Sequence, residues 1–325
     1  MIHRIRAQTV IVALGLLSAL SSGTVSAQEF QNKPVRIVTS ESGGGNDLAA
    51  RLVAQGLTAG LGRQVVVENR GGAGGSIAAE LVAKAAPDGH TLLFYGSAIW
   101  LMPYLRDDIP YDPVRDFAPV TLAVQSPNIL IVHPSLPVRT VRDLISVAKT
   151  RPGALNYGSG QTGSSTHLAA ELFKTMAGVD ITRIVYKGGG LVINDLISGE
   201  LQLMFITAGS VARHLKSGKI RAIAITSARP SSLLPDLPTI AATGVPGYEA
   251  VSMLGLFVPA KTPPPLVYRL NQEIVRVLAR PEIKERFFNT GVETVGSTPG
   301  EFAATIKSEM TRMGKVIKDA GIQAH

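Results

Sequence analysis

Apolar residues recur along residues 34–95 with two alternating periods, and this alternation predicts strands and helices in turn. A short apolar run around Val35, Ile37 and Val38 fits a buried strand, whereas Leu48 and Leu52 fall on one face of a helix. A strand, loop and helix that repeat in this order are typical of a parallel sheet with helical crossovers. We therefore predict strands at 34–39, 64–68 and 91–95, with helices at 47–61 and 76–86 between them.

The same rhythm returns after a proline-rich stretch at 103–119, which predicts a second α/β unit. Thr140 is a candidate N-cap, and Gly199 a candidate C-terminal glycine, for two of its helices. We predict helices at 140–149, 166–176, 191–198 and around 209–217, and strands at 154–157, 181–185, 201–206 and 220–226.

The last third of the chain predicts a return to the first unit. An irregular stretch at 229–246 and an apolar run at 251–259 are followed by predicted helices at 265–279, 281–289 and 299–320. Three helices do not make a domain of their own beside an open sheet, so we expect them to pack on the first sheet. The chain then crosses between domains near 123–128 and near 249–252, and two crossings predict a hinge.

The expected fold is α/β, with two α/β domains joined by a two-segment hinge and a ligand cleft between them. A length of 325 residues suits two domains. Domain 1 is predicted at 28–124 plus 251–325, and domain 2 at 125–250.

Residues 1–27 have the three-part pattern of a secretory signal peptide. Arg4 and Arg6 precede an apolar run at 9–20, and Val25-Ser26-Ala27 forms a cleavage signal. A membrane anchor is the weaker alternative, because the run is shorter than the roughly 20 residues of a span. The sequence thus predicts export to the periplasm with cleavage after Ala27. The chain has no Cys, which excludes disulfides, thiolate chemistry and a lipid-attached cysteine.

Charge and motif content argue against nucleic-acid binding and catalysis. Removal of Arg4 and Arg6 lowers the formal charge from +8 to +6, and the remaining basic residues are scattered in the manner of a solvated surface. His residues show no metal-ligand spacing, and no nucleophile-elbow motif occurs. Residues 158–163 match G-x-G-x-x-G, but Asp180 stands before the next predicted strand and not after it. We expect neither an enzyme nor a cofactor.

Glycine and small hydroxyl residues fill several loops that follow predicted strands and precede predicted helices. In open parallel sheets these loops share the carboxyl edge, where ligands bind. Glycine allows close approach to main-chain N–H groups, and helix N-termini attract anions. The pattern predicts a small anionic ligand held by main-chain donors. The loops are 42–46, 71–76, 96–98, 163–166, 188–190 and 207–210.

Short motifs spread over the mature chain resemble the Bug-type receptors of tripartite tricarboxylate transport systems. Their order and spacing are more specific than any one of them. They are Gly43-Gly44-Gly45-Asn46-Asp47 with Ala50-Arg51, Val65-Val66-Val67-Glu68-Asn69-Arg70 with Gly72-Ala73-Gly74-Gly75, Ala86-Pro87-Asp88-Gly89, Tyr157-Gly158-Ser159-Gly160 with Ser165-Thr166-His167-Leu168, Tyr186-Lys187-Gly188, Leu237-Pro238-Thr239 with Gly244-Val245-Pro246-Gly247-Tyr248, and Gly255-Leu256-Phe257-Val258-Pro259-Ala260.

The resemblance implies a type II periplasmic binding protein that closes on a carboxylate held by main-chain amides and hydroxyls. We expect Asp47 to brace its own loop, and His167 either to brace its loop or to contact the ligand. The family usually has an aromatic residue before the first glycines, but this chain lacks it and has the acid Glu41 there instead. The side chain of Glu41 either enters the pocket or faces water. The candidate substrate-binding residues are Glu41, Ser42, Gly43, Gly44, Gly45, Asn46, Asp47, Ser97, Ala98, Ser164, Ser165, Thr166, His167, Gly188, Gly189, Thr207 and Ala208.

The predicted function is capture of a small organic acid for uptake by the membrane permease subunits of such a transporter. A di- or tricarboxylate, an acidic amino acid and an aromatic acid are all candidates, and a monomer is expected. Three alternatives stay open: a receptor that signals to a membrane kinase, a secreted nucleotide-binding enzyme, and the effector domain of a transcription regulator. The signal peptide argues against the last.

Overall fold

The computed structural model describes residues 33–40, 42–43, 45–160, 162–186, 189–215 and 218–324. The predicted signal peptide lies outside these residues. Within them, ten strands form one continuous sheet. No helix of the described part has the length and apolar character needed to cross a membrane.

Three parallel strands begin the chain, as the alternating pattern predicts. β1 lies between β2 and β3, and the connections between them run through helices. β1 and β3 are short and mostly apolar, and all their side chains except Arg36 are buried, whereas only Val65 is buried in β2. These elements are β1 (Val35–Thr39), α1 (Gly45–Leu61), β2 (Val65–Asn69), a 3-10 turn (Ala73–Gly75), α2 (Ser76–Ala83), β3 (Thr91–Gly96) and α3 (Ala98–Leu105).

The long strand β4 (Phe117–Val132) belongs to both parts of the sheet. Residues 117–127 pair antiparallel with β9 (Val251–Pro259), and residues 128–132 pair with β7 and β8. The partners change between Pro127 and Asn128, within the segment where the sequence predicts a crossing. We call β1, β2, β3, β9, β10 and residues 117–127 the first half-sheet, and residues 128–132 with β5 to β8 the second half-sheet.

The second half-sheet repeats the α/β pattern, with β5 parallel to both β6 and β7. Thr140 caps α4 as predicted: its hydroxyl accepts from the Asp143 N–H group, and the Asp143 carboxylate accepts from the Thr140 N–H group. Gly199 follows α6 with a φ of +89°, which confirms its predicted role. The elements are α4 (Val141–Thr150), β5 (Asn156–Ser159), α5 (Ser165–Ala177), β6 (Thr182–Val185), α6 (Gly189–Ser198), β7 (Leu203–Thr207), α7 (Ala208–Leu215), β8 (Arg221–Ile225) and α8 (Ile240–Thr243).

The C-terminal helices pack on the first half-sheet, and the last of these helices also contacts the part of the chain that forms the second half-sheet. Ile274 of α9 and Phe287 of α10 share a core with Ile37 of β1. Phe302 of α11 belongs instead to a larger core that includes Phe173 of α5. This part of the chain contains α9 (Pro264–Leu278), α10 (Pro281–Asn289), β10 (Glu293–Thr294) and α11 (Pro299–Asp319).

Two helices differ from the predictions. The expected loop at 96–98 gives way to α3, which begins at Ala98, and the stretch at 229–246 includes the short helix α8. Every residue of α3 is apolar and most are buried, so no polar face marks it as a helix in the sequence. Pro103 inside α3 further favours an irregular chain when only the sequence is considered.

Candidate functional site

In each half-sheet, the carboxyl ends of the parallel strands lie at the same edge. β1 and β3 are parallel neighbours, so the loops after Thr39 and Gly96 lie side by side. β5 is parallel to β6 and β7, so the loops after Ser159, Val185 and Thr207 likewise share one edge. Helices begin within a few residues of these strand ends, and their N-termini therefore lie at the same two edges.

The crossing of β4 brings the two edges next to each other. In the first half-sheet, Leu254 pairs with both Gly96 and Val124, so β4 leaves at the edge where β3 ends. In the second, Asn128 pairs with Thr207, so β4 enters at the edge where β7 ends. Both carboxyl edges thus flank the same crossing, which is the arrangement that a shared ligand cleft requires.

Hydrogen bonds hold the two crossing segments together. The Asn128 N–H group donates to the Thr226 hydroxyl at 2.8 Å, and the Thr226 N–H group donates to the Asn128 carbonyl at 2.9 Å. The Ala250 N–H group donates to the Thr226 carbonyl at 2.9 Å. Thr226 therefore links the segment at 128 to the segment at 250.

Most of the predicted site residues occupy the ends of strands or the first turns of helices. Ala98, Gly189 and Ala208 are the first residues of α3, α6 and α7, and Thr207 is the last residue of β7. Glu41, Gly44 and Gly188 lie outside the described residues. The others are Ser42, Gly43, Gly45, Asn46 and Asp47 at the start of α1, Ser97 before α3, and Ser164, Ser165, Thr166 and His167 at the start of α5.

Asp47 is a buried residue in the first turn of α1, and it braces the loop after β1. One carboxylate oxygen accepts from the Gly43 N–H group at 2.9 Å, and the other contacts Asn69 Nδ2 at 2.8 Å and Arg51 Nη2 at 3.0 Å. Burial alone would raise the pKa of Asp47, but the hydrogen bonds from Arg51, Gly43 and Asn69 and the charge of Arg51 lower it to about 2. Asn69 also donates to the Ser40 carbonyl, so this cluster fixes both sides of the loop.

The start of α3 is tied to the last helix. Trp100 is buried, and its indole N–H group donates to Glu309 Oε2 of α11 at 2.8 Å. Burial raises the pKa of Glu309 to about 7, against the opposing effects of the Trp100 hydrogen bond and of Arg312. Ser97 and Ala98 of the site are therefore within three residues of a side chain anchored to α11.

His167 is a buried brace of the loop that precedes α5. Its Nδ1 atom accepts from the Gly163 N–H group at 3.1 Å, and its own N–H group is the one that the Ser164 hydroxyl caps. Burial lowers the pKa of His167 to about 3, and the charges of Arg183 and Lys174 add to the effect. The imidazole is neutral at physiological pH and carries its proton on Nε2.

Arg183 holds the loop after β5, a role that the sequence analysis missed. Its guanidinium donates to the Ser159 hydroxyl at 2.7 Å, to the Gly160 carbonyl at 3.0 Å and to the Thr162 hydroxyl at 3.3 Å. Arg183 lies opposite Tyr157 in the β5–β6 pairing, and only this register brings its side chain to the loop.

Side-chain hydrogen bonds also lie next to the other two strand ends of the second half-sheet. The Tyr186 hydroxyl, just after β6, donates to Asp195 Oδ2 of α6 at 2.6 Å. The hydroxyls of Thr207 and Ser210 lie 2.8 Å apart across the start of α7. The edge thus combines fixed loops, hydroxyl groups and helix N-termini, which together suit the oxygens of an anion.

The fold and the paired edges define the α/β class of solute-binding proteins. The Rpa4515 protein from R. palustris, solved with adipate, is 38% identical, covers 90% of this chain and 99% of its own, and superposes with a TM-score of 0.75. MatC from Rhodopseudomonas palustris, with bound malate, is 29% identical, covers 88% of this chain and 99% of its own, and has a TM-score of 0.69. The protein BugT of Bordetella pertussis is 33% identical over 96% of both chains.

Residues 49–322 match the model of the tripartite tricarboxylate transporter family receptors, TctC. The chain therefore belongs to this family of solute-binding receptors, and the resemblance found in the sequence is confirmed.

Proposed function

We propose that this receptor binds a small organic carboxylate between the two carboxyl edges, closes over it and delivers it to the permease subunits of a tripartite tricarboxylate-type transporter. The two segments near 123–128 and 249–252 act as the hinge between domains with the predicted boundaries. The receptor is exported to the periplasm, with cleavage after Ala27, and performs no chemical step on its ligand.

One observation carries the proposal: the crossing of β4 sets two rows of braced loops and helix N-termini beside each other. Main-chain N–H groups at such ends stabilise negative oxygens without a charged side chain in contact. The relatives with adipate and malate indicate the class of guest, since both ligands are dicarboxylates. Because the open and closed states differ little in free energy, the contacts made by the ligand determine whether the protein closes.

A calorimetric screen tests this function with adipate, malate, citrate, glutamate and benzoate. Adipamide and 1,6-diaminohexane serve as neutral and cationic controls of matched length, and NAD tests the nucleotide alternative. We expect saturable binding of at least one acid and of none of the controls. Binding of a control but of no acid would overturn the proposal, and so would the absence of any binding.

Two variants of Ser164 test whether the ligand binds at the start of α5. Asp and Asn are both good N-caps, so Ser164→Asp and Ser164→Asn keep the helix start, and only the first adds a negative charge. We expect S164D to weaken binding of the acid by about tenfold or more, because a carboxylate then faces an anion. S164N should bind within a few-fold of the wild type, and equal affinity in the two variants would contradict this location.

A further inference from the structure

Arg183 has an unusual set of partners for a partly buried cation. All three of its hydrogen bonds end on neutral oxygens: the hydroxyls of Ser159 and Thr162 and the carbonyl of Gly160. No carboxylate of the described residues forms an ion pair with Arg183, whereas the neighbouring Lys174 is paired with Glu171 at 3.0 Å. A guanidinium whose hydrogen-bond partners are all neutral keeps an uncompensated positive charge, and this charge attracts anions.

Among the described residues of the loop between β5 and α5, no other side chain supplies such a charge. His167 is neutral, because its pKa lies far below physiological pH. The hydroxyls of Ser164 and Thr166 lie 3.3 Å apart, and the Gly163 N–H group is already bound to His167. Within the described part of this loop, the positive charge therefore comes from Arg183.

We propose that Arg183 is a positioning and specificity-determining residue: its guanidinium fixes the loop at 159–163 from behind and supplies the positive charge that selects an anionic ligand on the other side. This inference rests on the proposed function, since it concerns the same cleft. The planar guanidinium suits the task because it spans three loop oxygens at once, which a lysine ammonium on a flexible stem does not.

Preorganisation is the first consequence. A loop that is already fixed loses less conformational entropy when it binds, so the free protein resembles the bound one at this edge. Hydrogen exchange measures this without any ligand. In Arg183→Met we expect amide exchange within residues 158–167 to rise about tenfold.

The matched control is Arg221→Met. Arg221 is also partly buried and also donates to a neutral oxygen, the Val138 carbonyl at 3.0 Å, but it pairs with Val132, away from the carboxyl edge. We expect R221M to leave exchange within 158–167 unchanged. Circular dichroism confirms that each variant folds, and Arg183→Lys provides a milder variant if R183M does not.

The charge is tested by calorimetry at two salt concentrations with the acid that binds the wild type, adipate being the first choice. We expect R183M to weaken binding by about tenfold or more and to lose most of the salt dependence, since screening acts only on charged partners. R183K keeps the charge and loses the three-pronged contact. It should therefore retain the salt dependence while its loop exchanges faster.

The results separate this inference from the proposed function. If the wild type binds no acid, the proposed function fails, and the exchange measurement alone decides whether Arg183 fixes the loop. If acids bind but R183M changes neither affinity nor exchange, the inference is wrong and the function stands. The inference is equally wrong if R221M weakens binding as much as R183M.

Discussion

Glu309 is a buried carboxyl group whose ionisation works against the fold. Its carboxyl group accepts a hydrogen bond from the indole of Trp100, and the charged groups that act on it are Arg312 and Glu249. The folded state raises its pKa from 4.5 to about 7, so the folded protein binds this proton more tightly than the unfolded chain. Stability from this group is complete below pH 4.5 and is lost as the pH rises through 7.

Glu309→Gln removes this loss while leaving an oxygen to accept from Trp100. We expect E309Q to raise the free energy of unfolding by up to about 3 kcal/mol at pH 8 and to change it little at pH 4.5. Urea unfolding at both pH values, followed by circular dichroism, measures the difference. Glu285→Gln, at an exposed glutamate, should show no such pH-dependent gain. A destabilised E309Q at pH 8 would show that the charged form is the favoured one.

The braces of the site differ in how far the sequence reveals them. Asp47 was predicted to brace its loop, because an acid in the first turn of a helix interacts with N–H groups nearby. The bracing option for His167 also agrees with the contact to Gly163. Arg183 could not be found in this way, since its target depends on the pairing of β5 with β6. Contact of these residues with a ligand stays a prediction.

Among the elements, β9 contains a glycine, Gly255, that leaves no room for a side chain. A Cβ atom on Gly255 would lie 2.2 Å from Cζ of Phe302 and 2.9 Å from the Thr121 carbonyl oxygen. Gly255→Ala should therefore lower the free energy of unfolding by about 1–3 kcal/mol, because the core around Phe302 must shift. Thermal or urea unfolding measures this loss.

Gly300→Ala is the control for the same chemical change. Gly300 is in the first turn of α11, and a Cβ atom there meets nothing within 4 Å. Alanine suits a helix better than glycine, so G300A should be neutral or slightly stabilising. Equal destabilisation in both variants would mean that packing at Phe302 is not the cause.

Helices were predictable where one face is buried and the opposite face is exposed to solvent. The helix predicted at 281–289 agrees with α10 in both of its bounds, because polar and apolar residues alternate with helical spacing. α3 was missed because it is apolar on all sides and contains Pro103. Burial on several sides erases the periodic signal that single-sequence reasoning depends on.

On the scale of the whole molecule, Glu293 links the two half-sheets outside the cleft. From β10, one oxygen of its carboxylate accepts from the hydroxyls of Ser231 and Ser232, both at 2.8 Å, and from the Ser232 N–H group at 3.1 Å. These serines lie in the segment that follows β8 of the second half-sheet. The contact therefore joins the segment after β8 of the second half-sheet to β10 of the first.

Glu293→Ala removes all three bonds. We expect faster hydrogen exchange within residues 227–236 and a loss of about 1–3 kcal/mol in the free energy of unfolding. Glu273→Ala is the control, because the side chain of Glu273 pairs with the exposed Arg276 on its own helix. Unchanged exchange in E293A would show that the segment is held by other contacts.

The general architecture was foreseeable, but the strand order was not. Alternating strands and helices predicted parallel pairing of β1 with its neighbours, and the expected return of the C-terminal helices to the first sheet predicted a crossing near 123–128. The insertion of β9 between β3 and β4 depends on contacts between residues far apart in the chain. Local patterns do not encode such pairing. The domain boundaries remain a prediction.

Trp100 gives this protein a built-in optical reporter. It is the only tryptophan of the chain, so the emission of the purified protein comes from one indole at one known place. That indole packs against both Phe257 and Phe302, at ring-centroid distances of 6.0 and 5.9 Å, and is three residues from Ser97. A guest that shifts the start of α3 alters the surroundings of the fluorophore, and occupancy can then be read without a label.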